Sequence, residues 1–355
     1  MSSAFVYQSL PAKIIFGAGS RSSLAAELEQ LGCSKALVLS TPQQQQAAQA
    51  LAQQLGPLCA GVFTQATMHT PVDITALALQ AYASCQADSV ISFGGGSTIG
   101  LGKAIAYRIN TTHIALPTTY AGSEVTPILG QTENKQKTTV RHPRILPNVV
   151  IYDPDLSLHL PVEMSITSGL NAMAHAIEAL YAQDRNPVST AMAIQGVQAL
   201  VQALPVLIKE PQQVQARSDA LLGAWLCGTV LGTVGMSLHH KLCHTLGGSF
   251  HLPHAPTHAV LLPHSLAYNA RAAAAQLQPL HDLLGPDLAL ALYQLAQSLG
   301  APLSLQELGL KEADLDQAAH LATQNPYWSP RPLEQVALRA MLQRAWAGSA
   351  PHTDA

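Results

Sequence analysis

This sequence predicts a two-domain α/β protein: a doubly wound parallel sheet over residues 1–156, then an all-helical domain over residues 157–355. Three observations carry that reading. Short apolar runs alternate with amphipathic helices up to about residue 155, and strand signals nearly vanish beyond Pro161. A glycine cluster also follows one of the apolar runs and opens a helix. Strands covered by helices on both faces read as short continuous apolar runs, which is the grammar of a parallel sheet.

The elements follow in order. The first run, KIIF, is short and edge-like. ALVLS (36–40) precedes a Gln/Ala/Leu helix, AGVF (60–63) precedes a helix through 74–83, and SVISF (89–93) leads into the glycines and the helix TIGLGKAIAYRI. THIAL (112–116) and NVVIY (148–152) complete the set, the last closed by Asp153-Pro154. Beyond the boundary at 153–161, segments 165–181, 188–208, 217–231, 237–247 and 287–299 carry helical periodicity, punctuated by Pro, Gly and Asn. Open α/β sheets bind ligands beyond the carboxyl ends of their strands. The helical half is expected to close the other side of that crevice.

The loop Gly94-Gly95-Gly96-Ser97 sits at such a strand end. Glycines let the backbone approach a ligand closely, and exposed N–H groups at a helix start favour an anion, so a pyrophosphate is the natural guest. The loop is not G-x-G-x-x-G and follows the fourth strand rather than the first. By itself it is equally well read as a tight turn. A second loop, TTYAGSE from Thr118 and Thr119 through Ser123, follows the next strand end, where its hydroxyls and that of nearby Thr126 reach toward the same guest. Together the two loops point to a dinucleotide. Ser40 and Thr41 stand where an acid would select the ribose of NAD, which admits both NADH and NADPH.

Fifteen histidines is a high count for 355 residues. Asn171 and His175 are four apart on one helix, and His240 and His244 are four apart on another, so each pair shares a face. His254 follows in a stretch read as a loop, HLPHAPTH, with His251 and His258 nearby. Such a set can hold a metal, position an anion or move a proton. His113, His142, His159 and His281 read as ordinary packing or surface residues.

Composition narrows the classes. Hydrophobic residues make up 48% and charged residues 11%, with net charge −3 and no Lys/Arg run, which argues against a nucleic-acid surface. There is no continuous apolar run of membrane-spanning length and no signal-peptide pattern, and the five widely spaced cysteines lack C-x-x-C. A cytoplasmic enzyme with reduced thiols is expected. Its low charge and Ala/Leu-rich helices suggest self-association, with a homodimer as the expected state.

The runs GGGST, TTYAGSEVT, GLNAMAHAIEALY and HHKLCHTLGGSFHLPHAPTHAVLLPH together resemble the iron-containing alcohol dehydrogenase superfamily, over nearly the whole chain. The resemblance implies the architecture shared with dehydroquinate synthase. It also implies a divalent metal held by one Asp and three His, positions that fall on Asn171, His175, His240 and His254. The Asp position is therefore a neutral amide, a weak ligand for a hard cation. The TTYAGSEVT loop is one residue shorter than the family's common form.

With NPYWSPRPL near 325–333, these departures resemble the maleylacetate reductase branch. That resemblance implies NADH- or NADPH-dependent reduction of the conjugated C=C bond of maleylacetate, a small dicarboxylate, to 3-oxoadipate without metal. His244 is then the proton-transfer residue, with Asn171, His175, His240 and His254 positioning substrate. Tyr327 and Arg331 are candidates for a substrate carboxylate, and Lys137, in the ENKQKTT turn, matches a family lysine near the cofactor. A metal-dependent alcohol or polyol dehydrogenase, a dehydroquinate synthase-type lyase and a non-catalytic nucleotide-binding relative remain as alternatives.

Overall fold

The structure is a computed structural model and describes residues 5–10, 12–133 and 136–353. The chain divides into two compact units: residues 9–160 with 212–221, and residues 161–211 with 222–355 plus the first eight.

In the first unit β1 (Lys13–Phe16), β2 (Ala36–Leu39), β3 (Cys59–Phe63), β4 (Ser89–Gly94), β5 (Thr112–Pro117) and β8 (Val149–Tyr152) form one sheet, ordered β1-β8-β5-β4-β2-β3. Every pairing in it is parallel. The KIIF strand lies at one edge, as its shortness suggests. Side chains alternate across the pleat, and each face has its own core. Val38, Ile91, Phe93, Ile114 and Ile151 pack with Leu24 and Leu28 of α1 (Leu24–Gln30) and with Ala48 and Leu51 of α2 (Gln45–Leu55). Leu37, Leu39 and Val90 pack on the opposite face with Ala78 of α3 (Val72–Ser84) and with Leu101 and Ile105 of α4 (Gly96–Ile109). Helices on both faces make the sheet doubly wound.

From β2 the chain steps outward to β3 and then returns to the other side of β2 as β4. The carboxyl ends of β2 and β4 therefore flank the point where the strand order reverses, the place where open α/β sheets receive ligands. A hairpin that the sequence reading missed, β6 (Ile128–Glu133) with β7 (Gln136–Arg141), forms a separate antiparallel sheet.

The second unit is helical: α5 (Val162–Leu180), α6 (Pro187–Lys209), the body of α7 (Val214–Thr233), α8 (Leu238–Ser249) and α9 (His254–Asn269). The one-turn α10 (Ala274–Leu277) and α11 (His281–Leu284) lead to α12 (Leu288–Ser298), α13 (Leu315–Thr323) and α14 (Gln335–Ala347). Asn186 starts α6 with a capping box to Ser189, and Pro187 takes the first helical position, where its missing N–H costs nothing. By length and composition α6 could cross a membrane, with a mean hydropathy of 1.6. It instead lays Leu200, Leu204 and Leu207 into the interior, and Gly169 of α5 and Gly223 of α7 receive Leu204 and Leu200 at close approach. The residue reading placed His254 in a loop; it is the first residue of α9. Pro256 falls in that helix's first turn, where proline is tolerated, so a proline-rich run that looks loop-forming begins a helix.

Candidate active site

The expected site residues fall into two groups, one in each unit. In the first unit, Gly94 ends β4 with φ +152°, and Gly95 caps α4. Glycine is required here by close approach: a Cβ on Gly94 would lie 2.6 Å from Thr98 Oγ1, and one on Gly95 would lie 2.7 Å from Thr119 Cγ2. Gly96 is exposed and Ser97 half-buried at the start of α4, so the amides of that helix end are available to an anion. Gln44, just beyond β2, donates from Nε2 to Thr118 Oγ1 at 2.9 Å and ties the ends of β2 and β5 together.

The loop after Thr118 is held from beneath. Lys103 of α4 is fully buried and donates to the Ser123 carbonyl and, at 3.0 Å each, to Thr126 Oγ1 and the Ile128 carbonyl. Burial lowers its ammonium pKa to about 7 against the opposing pull of Glu124. Arg217, also buried, donates to the Tyr120 hydroxyl at 3.0 Å. Thr126 and the Ser123 backbone thus serve the loop's own architecture. Lys137 sits on β7 opposite Thr132, on a strand rather than in a turn, and its side chain lies outside the described residues.

In the second unit α5 presents Asn171, His175 and Glu178 along one face, the spacing of i, i+4 and i+7. Sequence reasoning passed over Glu178. Its carboxylate accepts from the backbone N–H of Ser237 at 2.8 Å and of His239 at 2.6 Å, and so caps α8, whose own Ser237 makes no side-chain cap. A carboxylate there also meets the positive end of the helix dipole. Glu178 Oε2 further bonds His240 Nδ1 at 2.7 Å. Burial raises the Glu178 pKa to about 7 against its three backbone donors and lowers that of His240 to about 3.

A neutral His240 that donates from Nδ1 to Glu178 has its lone pair on Nε2. That atom is 2.8 Å from His175 Nδ1, so His175 donates to it. A chain His175–His240–Glu178 results, its tautomers set by the carboxylate. The Oδ1 of Asn171, buried one turn before His175, has no hydrogen-bond partner among the described residues.

His244, one turn after His240 on α8, is half-buried, and its Nδ1 is 2.9 Å from the Tyr327 hydroxyl. Tyr327 is therefore brought together with the expected proton donor. Arg331 lies elsewhere, stacked 4.1 Å from the centre of the Tyr268 ring. His254 is exposed at the start of α9, with its ring 4.4 Å from that of His258. His239 and His258, both buried, join the cluster with Nε2 of the first 2.9 Å from Nδ1 of the second. Both were missed as site residues, although His258 stands one helical turn after His254. His113 is a core histidine bonded to Ser92 at 2.8 Å.

The iron-containing alcohol dehydrogenase family matches residues 11–154, and the C-terminal Fe-containing alcohol dehydrogenase family matches 165–346. The chain is 62% identical to a maleylacetate reductase of Rhizobium sp. (strain MTP-10005), over 98% of this chain and 99% of that one. The chain belongs to the maleylacetate reductase branch of the iron-containing alcohol dehydrogenase family. It is also 50% identical to a maleylacetate reductase of Sphingobium indicum, over 98% and 99% of the two chains. The crystal structure of maleylacetate reductase from Agrobacterium tumefaciens superposes with a TM-score of 0.96 at 61% identity, covering 98% of this chain and all of that one. Iron in the family's name directs attention to the ligand positions of this iron-containing dehydrogenase relative. Here they offer one neutral amide and three imidazoles, and two of those imidazoles bond to each other.

Proposed function

We propose that this chain is an NAD(P)H-dependent reductase of maleylacetate that converts its conjugated C=C bond to the saturated 3-oxoadipate without metal assistance. The observation that carries the reading is Asn171 among the histidines. A carboxylate at that position would supply charge to a hard cation and repel a dicarboxylate; an amide does neither and can donate from Nδ2 to an anionic oxygen. His240 Nε2, the lone pair a metal would need, accepts from His175 instead. The neutral amide weakens this donor set for the family's divalent ion, and the steps of this reading use none.

In this reading the glycine loop and the hydroxyls of Thr118, Thr119 and Ser123 bind the dinucleotide. Hydride adds to the alkene carbon remote from the ketone, and the π electrons move to the ketone oxygen as an enolate. As the enolate carbonyl re-forms, the adjacent carbon takes a proton from His244, whose Nδ1 is held by Tyr327. His175, His240, His254 and Asn171 orient the substrate and stabilise the enolate oxygen by hydrogen bonding. A cytoplasmic homodimer is part of the same reading.

Purified protein is expected to oxidise NADH or NADPH only when maleylacetate is present, and to keep its rate after exhaustive dialysis against chelator. Loss of activity on chelation, restored by Fe²⁺ or Zn²⁺, would overturn metal independence. Turnover of simple alcohols with NAD⁺ in place of maleylacetate reduction would overturn the substrate.

A further inference from the structure

The geometry points to a second, buried cation site formed by His239, Cys243 and His258, suited to a borderline-to-soft divalent ion such as Zn²⁺. It uses none of the family's ligand positions, and its three protein ligands leave the fourth tetrahedral position to water. His239 and Cys243 are one turn apart on α8, and His258 faces them from α9, with all three side chains buried. Their ligand atoms lie within 4.8 Å of one another.

The hydrogen-bond pattern fixes which atoms face the gap. Ser265 Oγ directs its own proton to the carbonyls of Leu261 and Leu262, at 2.9 and 3.1 Å. Its contact at 2.9 Å with His239 Nδ1 must therefore be a bond donated by the imidazole. That places the His239 lone pair on Nε2, pointing at His258 Nδ1, 2.9 Å away, and Cys243 Sγ, 3.6 Å away. A ligating histidine whose other N–H is anchored by a second group is the common arrangement at metal sites. His258 offers Nδ1 to this pair, and its buried Nε2, on the other edge of the ring, has no hydrogen-bond partner among the described residues and can take the displaced proton.

The separations fit. Zinc–nitrogen and zinc–sulfur bonds of about 2.05 and about 2.3 Å set tetrahedral N···S and N···N edges of about 3.6 and about 3.3 Å. The first matches the distance observed, and the second requires the two imidazoles to part by roughly half an ångström. On binding, the thiol loses its proton to solvent and the His258 proton moves from Nδ1 to Nε2, with no change of oxidation state. A thiolate with two imidazoles favours Zn²⁺ over Mg²⁺ or Ca²⁺, which take oxygen ligands.

The full chain, expressed with Co²⁺ as the probe so that the buried site fills during folding, tests the proposal. Tetrahedral visible absorption and a near-ultraviolet thiolate-to-cobalt band are expected, with X-ray absorption finding one sulfur at about 2.3 Å. Cys243→Ser should abolish the sulfur band, while His175→Ala should keep it. The X-ray measurement needs no variant and stands if Cys243→Ser fails to fold. Protein that folds without cobalt, or binds it with no sulfur neighbour, would overturn the site. Cobalt lost in His175→Ala but retained in Cys243→Ser would place the ion at the family position instead.

Discussion

Acidification should unfold this protein well before its surface charges explain it. Burial holds His113 and His240 down to about 3 and His264 to about 4, and keeps His239 and His258 well below an ordinary imidazole. In the unfolded chain all five titrate near 6.5. Below that pH the unfolded state binds protons that the folded state refuses, so stability falls with pH until about 4 to 3. Each imidazole costs about 1.3 kcal/mol between pH 7 and 5.5. Glu178 and Lys103, both held at about 7, work in the opposite sense, because between pH 7 and 5.5 the folded state takes up a proton at each while the unfolded state does not. Five imidazoles against these two groups leave a loss of about 3 kcal/mol, against a total stability of about 5–15 kcal/mol. Urea unfolding followed by tryptophan fluorescence at pH 7.0 and 5.5 measures the difference. Equal stability at the two values would refute the neutral, buried state of these histidines.

Three further outcomes are expected. His244→Ala should lower kcat roughly 100-fold if the imidazole is the general acid, with Tyr327→Phe causing a smaller loss and a shifted pH profile; steady-state rates decide it. Glu178→Gln should destabilise the fold by about 1–3 kcal/mol, read as a lower Tm, since it weakens the cap of α8 and the bond to His240. Gly95→Ala puts a methyl 2.7 Å from Thr119 Cγ2, which must shift, and should raise the KM for NADH; an unchanged KM would remove this loop from cofactor binding.

Most of the sheet was legible because its strands are buried on both faces, which makes ALVL, SVISF and VVIY stand out against amphipathic helices. The hairpin β6–β7 was not, because ILGQTE and QKTTVR mix polar residues on a partly exposed ribbon and give no clean alternation. At the site, the pairs Asn171/His175 and His240/His244 were visible as helical spacings. Glu178 carried a signal of its own, a single carboxylate deep in an apolar helix and on the face of His175, but its cap of α8 depends on a contact 59 residues away. The buried Lys103 and Arg217 were illegible for a similar reason: a cation gives no sign in sequence that carbonyls and hydroxyls from distant segments will surround it.

Lys103 has a consequence for binding strength. A surface loop that closes on a nucleotide normally loses conformational freedom when the ligand arrives, and that loss weakens affinity. The backbone carbonyls of Ser123 and Ile128 are already committed to a buried amine, and Tyr120 to a buried guanidinium. Much of the loop's ordering entropy is thus spent during folding, so more of the contact energy would remain for a dinucleotide bound there as proposed.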